Sequence, residues 1–167
     1  EKWHKKLFPS LRPEPKIKTP EESCNTLDED GCIKDEKCYP KYTGDQVFEI
    51  CSYIYKYDLP INIYVIGYTC NDKLIKDYTF VHVIGAYDEE DFPKIVADYN
   101  LHYSLFLSPW PETFSYTISL AFANRLWPFV LNIGAPAERV ADSGFGTILD
   151  SDDASAICLK IMEVAHS

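Results

Sequence analysis

No stretch of this 167-residue chain approaches about 18 consecutive apolar residues, and its first residues lack the charged-then-apolar pattern of a secretory signal. Neither a membrane span nor export is expected, which makes a soluble cytoplasmic protein the default. Clustered cations are scarce too. Residues 1–18 carry six Lys or Arg against two Glu, a local +4 that leaves the rest of a chain of net charge −10 at −14. So acidic a body argues against nucleic acid as a partner, because phosphate binding is driven by grouped cations that release counterions. The six cysteines, at 24, 32, 38, 51, 70 and 158, never fall in C-x-x-C spacing. Cys51, Cys70 and Cys158 lie in or beside apolar runs and read as small packed hydrophobes. Cys24, Cys32 and Cys38 share a polar loop, where zinc or a disulfide is the competing reading. No G-x-G-x-x-G follows any strand-like run, which speaks against an ordinary dinucleotide-binding site.

What is present is ample for a core: 46% hydrophobic residues, 14% of the chain aromatic. Residues 1–43 hold five prolines among dense charge and no apolar periodicity, and read as an irregular leader or linker. Within that segment D-E-D-G at 28–31 has the look of a calcium loop. The matching register would put Thr26 first and Lys37 twelfth, both wrong ligands, so no metal is expected. From Gly44 to the end the pattern is regular. Helical spacing from Val47 to Tyr55 precedes strand-like runs at 61–67 and 80–85. A helix is expected from Asp88 to about Tyr99, with Pro93 tolerated in its first turn. A strand at 103–107, a helix at 115–124, a strand at 128–133 and a short helix at 136–143 follow. A strand at 146–149 and a last helix, capped by Asp152 or Asp153 and ending near Val164, complete the series. Such alternation implies an α/β fold with a mostly parallel sheet covered by helices on both faces, Rossmann-like in kind.

Ligands of such sheets bind beyond the carboxyl ends of the strands. Three loops qualify, after Gly67, after Gly85 and after Leu107, and the third, S-P-W-P-E-T-F-S at 108–115, is the richest. Prolines stiffen it, and Glu112 offers a carboxylate. The N–H groups of Phe114, Ser115 and Tyr116 open a helix whose positive end suits phosphate. A carboxylate beside an anion site is tolerable if it faces sugar hydroxyls, so a phosphorylated sugar satisfies both. Plainer readings stand beside this one: Glu112 as an ordinary acidic residue near a helix start, Trp110 and Phe114 as packing residues, His82 and His102 as structural histidines.

W-P-E-T-F-S-Y-T at 110–117, N-I-G-A-P-A-E-R-V at 132–140 and G-F-G at 144–146, with V-I-G-Y-T and V-I-G-A-Y-D-E-E-D upstream, together resemble the C-terminal, nucleotide-sugar donor-binding domain of group 1 glycosyltransferases of the GT-B fold. The likeness covers about residues 44–165. It implies that Glu112 binds the donor sugar, that Phe114, Ser115 and Tyr116 hold the pyrophosphate through their N–H groups, and that Gly85, Ala86 and Tyr87 line the base pocket. It implies no cofactor and no metal; the substrate is a nucleoside-diphosphate sugar.

Three features depart from the family pattern. Leu120 stands eight residues after Glu112, where a second Glu would bind the ribose. The first strand, whose loop supplies cations, is not recognisable, leaving Lys41 as the candidate pyrophosphate cation. One domain is too little for both donor and acceptor, so an acceptor-binding N-terminal domain or partner chain is expected. The leading expectation is therefore the donor-binding part of a hexosyltransferase, incomplete alone. The alternative is a catalytically degenerate Rossmann-like domain kept as an interaction module.

Overall fold

The computed structural model of the chain describes residues 40–69 and 72–167, with side chains from Gln46 onward. The D-E-D-G segment, Cys24, Cys32, Cys38 and Cys70 lie outside the described residues, as does the leader up to residue 39. The described residues fall into two compact units that divide between Ala86 and Tyr87.

In the first unit, helix α1 (Pro40–Tyr57) starts four residues earlier than the expected Gly44. Proline is well suited to a first helical turn, where its missing N–H has no acceptor to lose. Ile50, Cys51 and Ile54 recur at three- and four-residue spacing and are all buried. Strands β1 (Ile63–Ile66) and β2 (Val81–Gly85) pair in parallel, Ile63 opposite Val81 and Val65 opposite Val83. Because side chains alternate along a strand, these four share one face, and they pack with Cys51, Ile75 and Tyr78. Tyr64 and His82, on the other face, stack with ring centroids 4.7 Å apart. The short helix α2 (Asp72–Ile75) was not expected. Its first residue accepts from the Thr69 N–H and hydroxyl at 2.8 and 2.7 Å, a local capping contact. The Tyr78 hydroxyl lies 3.0 Å from Ser52 Oγ, and burial raises its pKa despite that contact.

In the second unit, the helix expected from Asp88 is a 3-10 turn at Glu89–Asp91 followed by α3 (Phe92–Asp98), with Pro93 in the first turn. Strands β3 (Tyr103–Phe106), β4 (Trp127–Leu131) and β5 (Thr147–Leu149) form a parallel sheet in that order. Helix α4 (Tyr116–Ala123) connects β3 to β4, α5 (Gly134–Ser143) connects β4 to β5, and α6 (Ala154–Ala165) closes the chain. Phe106, Val130 and Ile148 stand side by side in the ladder. They form one cluster with Ile118 and Phe122 of α4 and with Ala137 and Val140 of α5. Phe129 points to the opposite face and is 0% exposed, so both faces of β4 are covered. Asp153 caps α6, accepting from the N–H groups of Ser155 and Ala156 at 2.9 and 3.1 Å. Cys51 and Cys158 are both buried, and burial pushes the Cys158 thiol up to about 12. Among the described residues the architecture is thus α/β with parallel sheets of two and three strands, and a single antiparallel bridge joins Gly67 to Gly85.

Three helix-to-strand turns share one device. Asp58, Asn100 and Arg125 take φ of 52°, 50° and 56°. The next residue, Leu59, Leu101 or Leu126, donates its N–H five residues back, to Ile54, Val96 or Ala121. This is the Schellman closure, which satisfies carbonyls orphaned at a helix end and aims the chain back toward the sheet. Among the described residues no helix is long and apolar enough to cross a membrane.

Candidate functional site: the β3–α4 loop and its supports

The loop from Leu107 to Ser115 leaves the carboxyl end of β3 and enters α4. Leu107 is buried and anchors it, while the Ser108 hydroxyl donates to the Trp110 carbonyl at 3.2 Å. Glu112 is half-buried rather than mostly solvated as a proline-stiffened surface loop suggests. Its main chain accounts for this. The Ala135 N–H, at the start of α5, donates to the Glu112 carbonyl at 2.9 Å. Gly134 has φ +63°, and a Cβ there would stand 2.8 Å from Pro111 Cα and 2.9 Å from Glu112 N and O. Only glycine fits under the loop in that conformation.

The other support is Arg139, also on α5. Its Nη1 donates to the carbonyls of Phe114 at 3.1 Å and Ser115 at 2.9 Å, and its Nη2 donates to Ser119 Oγ at 2.9 Å. The guanidinium lies between two rings, 4.8 Å from the centroid of Phe114 and 5.5 Å from that of Phe122. Ser115, the residue before α4, has φ 60° and ψ 91°, an uncommon conformation for a residue with a Cβ. It is buried, with its hydroxyl 3.2 Å from Thr117 Oγ1. With the carbonyls of Phe114 and Ser115 turned onto Arg139, the N–H groups of Phe114, Ser115 and Tyr116 have no acceptor among the described residues. Phe114 and Tyr116 are exposed beside them, Tyr116 by 79%, with ring centroids 5.0 Å apart.

The first turn of α4 has no acidic residue, and Arg139 has no carboxylate partner among the described residues. A cation at the positive end of a helix is unfavourable by about 0.3–1 kcal/mol unless an anion offsets it. The arrangement can therefore accept an anion on its N–H groups and offer the Glu112 carboxylate to hydroxyls.

The remaining expected site residues are distributed as follows. Leu120 is half-buried on α4, and its carbonyl accepts from the main-chain and side-chain amides of Asn124 at 3.1 and 2.8 Å. Lys41 belongs to the first turn of α1, with its side chain outside the described residues. Gly85 ends β2 with φ +83°, its carbonyl accepting from the Gly67 N–H at 2.9 Å. The Tyr68 ring covers it, so that a Cβ on Gly85 would come within 3.2 Å of Tyr68 Oη. Ala86 is exposed and closes the first unit, whereas Tyr87 opens the second and packs its ring 5.8 Å from that of Phe92. Glu112, Phe114, Ser115, Tyr116 and Leu120 are thus gathered on one loop and helix. Sequence reasoning missed Arg139, Gly134 and Tyr68 as participants. The first two stand within N-I-G-A-P-A-E-R-V, a motif whose spacing by itself gives them no role. No protein-family model matches this chain, and neither does any curated protein or any solved structure.

Proposed function

We propose that the β3–α4 loop binds the sugar diphosphate portion of a nucleoside-diphosphate sugar, and that the chain is the donor-binding part of a glycosyltransferase. The acceptor and the groups that activate it come from a longer natural chain or a partner. The observation that carries this reading is the pairing, on one loop, of three main-chain N–H groups without acceptors and a carboxylate two residues before them. Donors aimed outward at a helix start suit phosphate oxygens, and they require no reorganisation as charge develops on a departing nucleoside diphosphate. Glu112 then accepts from hydroxyls of the sugar. Leu120, lacking an acceptor at the position where the family pattern has Glu, costs a charge-assisted hydrogen bond of about 1.5–3 kcal/mol, so affinity for the nucleotide is weak.

Titration calorimetry with UDP, GDP, UDP-glucose and GDP-mannose tests this. Glu112→Gln is expected to weaken binding of a nucleotide sugar and to leave the bare diphosphate nearly untouched. Equal weakening of both would make Glu112 a brace of the loop and remove its role toward the sugar.

An interaction module is the competing reading. It is favoured by the exposure of Trp110, Phe114 and Tyr116 on the loop and by the Tyr68 ring over Gly85. Absence of heat with all four compounds at millimolar concentration would favour it over donor binding.

A further inference from the structure

The guanidinium of Arg139 is committed on every side. It has two rings against it, two main-chain carbonyls on Nη1 and a hydroxyl on Nη2, and no carboxylate partner among the described residues. Nothing in the packing of α5 against the sheet requires a cation there, since Ala137 and Val140 supply the apolar contact. What the guanidinium does geometrically is fix the peptides on both sides of Ser115. Nη1 alone donates to both adjacent carbonyls, and a peptide whose carbonyl is fixed has its N–H fixed in the opposite direction. Ser115 is thereby kept at φ 60°, a conformation that persists only when its surroundings over-determine it.

We infer that Arg139 is a positioning residue for the anion-binding face of the β3–α4 loop. It holds the carbonyls of Phe114 and Ser115 inward so that the N–H groups of Ser115 and Tyr116 face the ligand. The inference rests on the reading of that loop as the sugar-diphosphate site. It assigns a role to a residue that need not touch the ligand, and it separates geometry from charge. Lysine keeps the charge and can donate to two carbonyls, but it has no flat group to lie against the Phe114 and Phe122 rings and no second nitrogen to reach Ser119 Oγ as well. A direct ionic contact would survive that exchange; a positioning role would not.

The test compares wild type, Arg139→Lys and Arg139→Ala by two readouts. The three-bond HN–Hα coupling of Ser115, which reports its φ, is expected to change in both variants measured without ligand, while the couplings of Phe129 and Val130 of β4 stay as in wild type. Titration with inorganic pyrophosphate and with UDP-glucose is expected to show both variants about tenfold weaker or more, the loss that one charge-assisted bond's worth of misplaced donors produces. An unchanged Ser115 coupling in Arg139→Ala would overturn the hold on the carbonyls. Wild-type affinity in Arg139→Lys would overturn positioning in favour of charge alone. If wild type binds neither probe, the sugar-diphosphate reading fails and the ligand role of Arg139 falls with it, whereas the Ser115 coupling still decides whether Arg139 sets the loop.

Discussion

Replacing Gly134 by alanine presses directly on the contact that holds Glu112 in place. Two costs add at this position. An L-residue at φ +63° is unfavourable by about 1–2 kcal/mol. The new Cβ would also lie 2.8–2.9 Å from Pro111 Cα and from Glu112 N and O, main-chain atoms that cannot rotate away. Relieving that overlap means lifting the loop, which stretches the Ala135-to-Glu112 hydrogen bond and brings an overpacking cost of about 1–3 kcal/mol. Gly144 supplies the control, because its φ is +64° and a Cβ there meets nothing within 4 Å. Gly144→Ala therefore carries only the conformational cost, offset in part by the lower entropy of the unfolded alanine chain. The expectation is a loss of about 1 kcal/mol for Gly144→Ala and about 2–4 kcal/mol for Gly134→Ala. Equilibrium denaturation followed by tryptophan fluorescence reads it, since Trp110 and Trp127 both belong to the second unit. Equal losses in the two variants would refute the claim that Gly134 is shaped to the loop.

Two further expectations concern the same unit. Asp153→Ala removes the cap of α6 and is expected to cost about 1 kcal/mol near neutral pH. The Ser155 hydroxyl, then the Ala156 N–H, hold the Asp153 carboxyl below its ordinary pKa. Its contribution is therefore fully present above the ordinary carboxylate value and is lost as pH falls through the lower folded value. Denaturation of wild type and variant should converge in acid, and a difference that persists unchanged there would contradict the charged cap. Ser104 Oγ, on β3, is buried with no hydrogen-bond partner among the described residues. Ser104→Ala is expected to leave stability unchanged or raise it by about 1 kcal/mol, and a clear loss in a thermal melt would mean that the hydroxyl has a partner in solution.

The elements legible in the sequence are those whose causes are local. The apolar runs of β1 to β5, the Asp153 cap and the apolar spacing of α1 each lie within a dozen residues, and the helices and strands form close to where the pattern put them. The D-L, N-L and R-L pairs at 58–59, 100–101 and 125–126 are local too, although arginine at positive φ is not a signal that composition reveals. Helix α2 was missed because four residues carry too little periodicity. Arg139 could not be read as more than a solvated helical charge, since its acceptors lie 20 to 25 residues earlier in the chain. Glu112 looked solvent-facing because nothing in P-E-T-F announces that Gly134 and Ala135 will come up beneath it. The motif marked the loop, whereas only the fold revealed what holds the loop still.

The central claim is that the N–H groups of Phe114, Ser115 and Tyr116 receive phosphate. Amide chemical shifts of the labelled protein during a titration with UDP and, separately, inorganic pyrophosphate test it most directly. The account predicts saturable shifts centred on these three amides, of the same sign with both ligands. Shifts confined to other residues, or none at millimolar ligand, would contradict it.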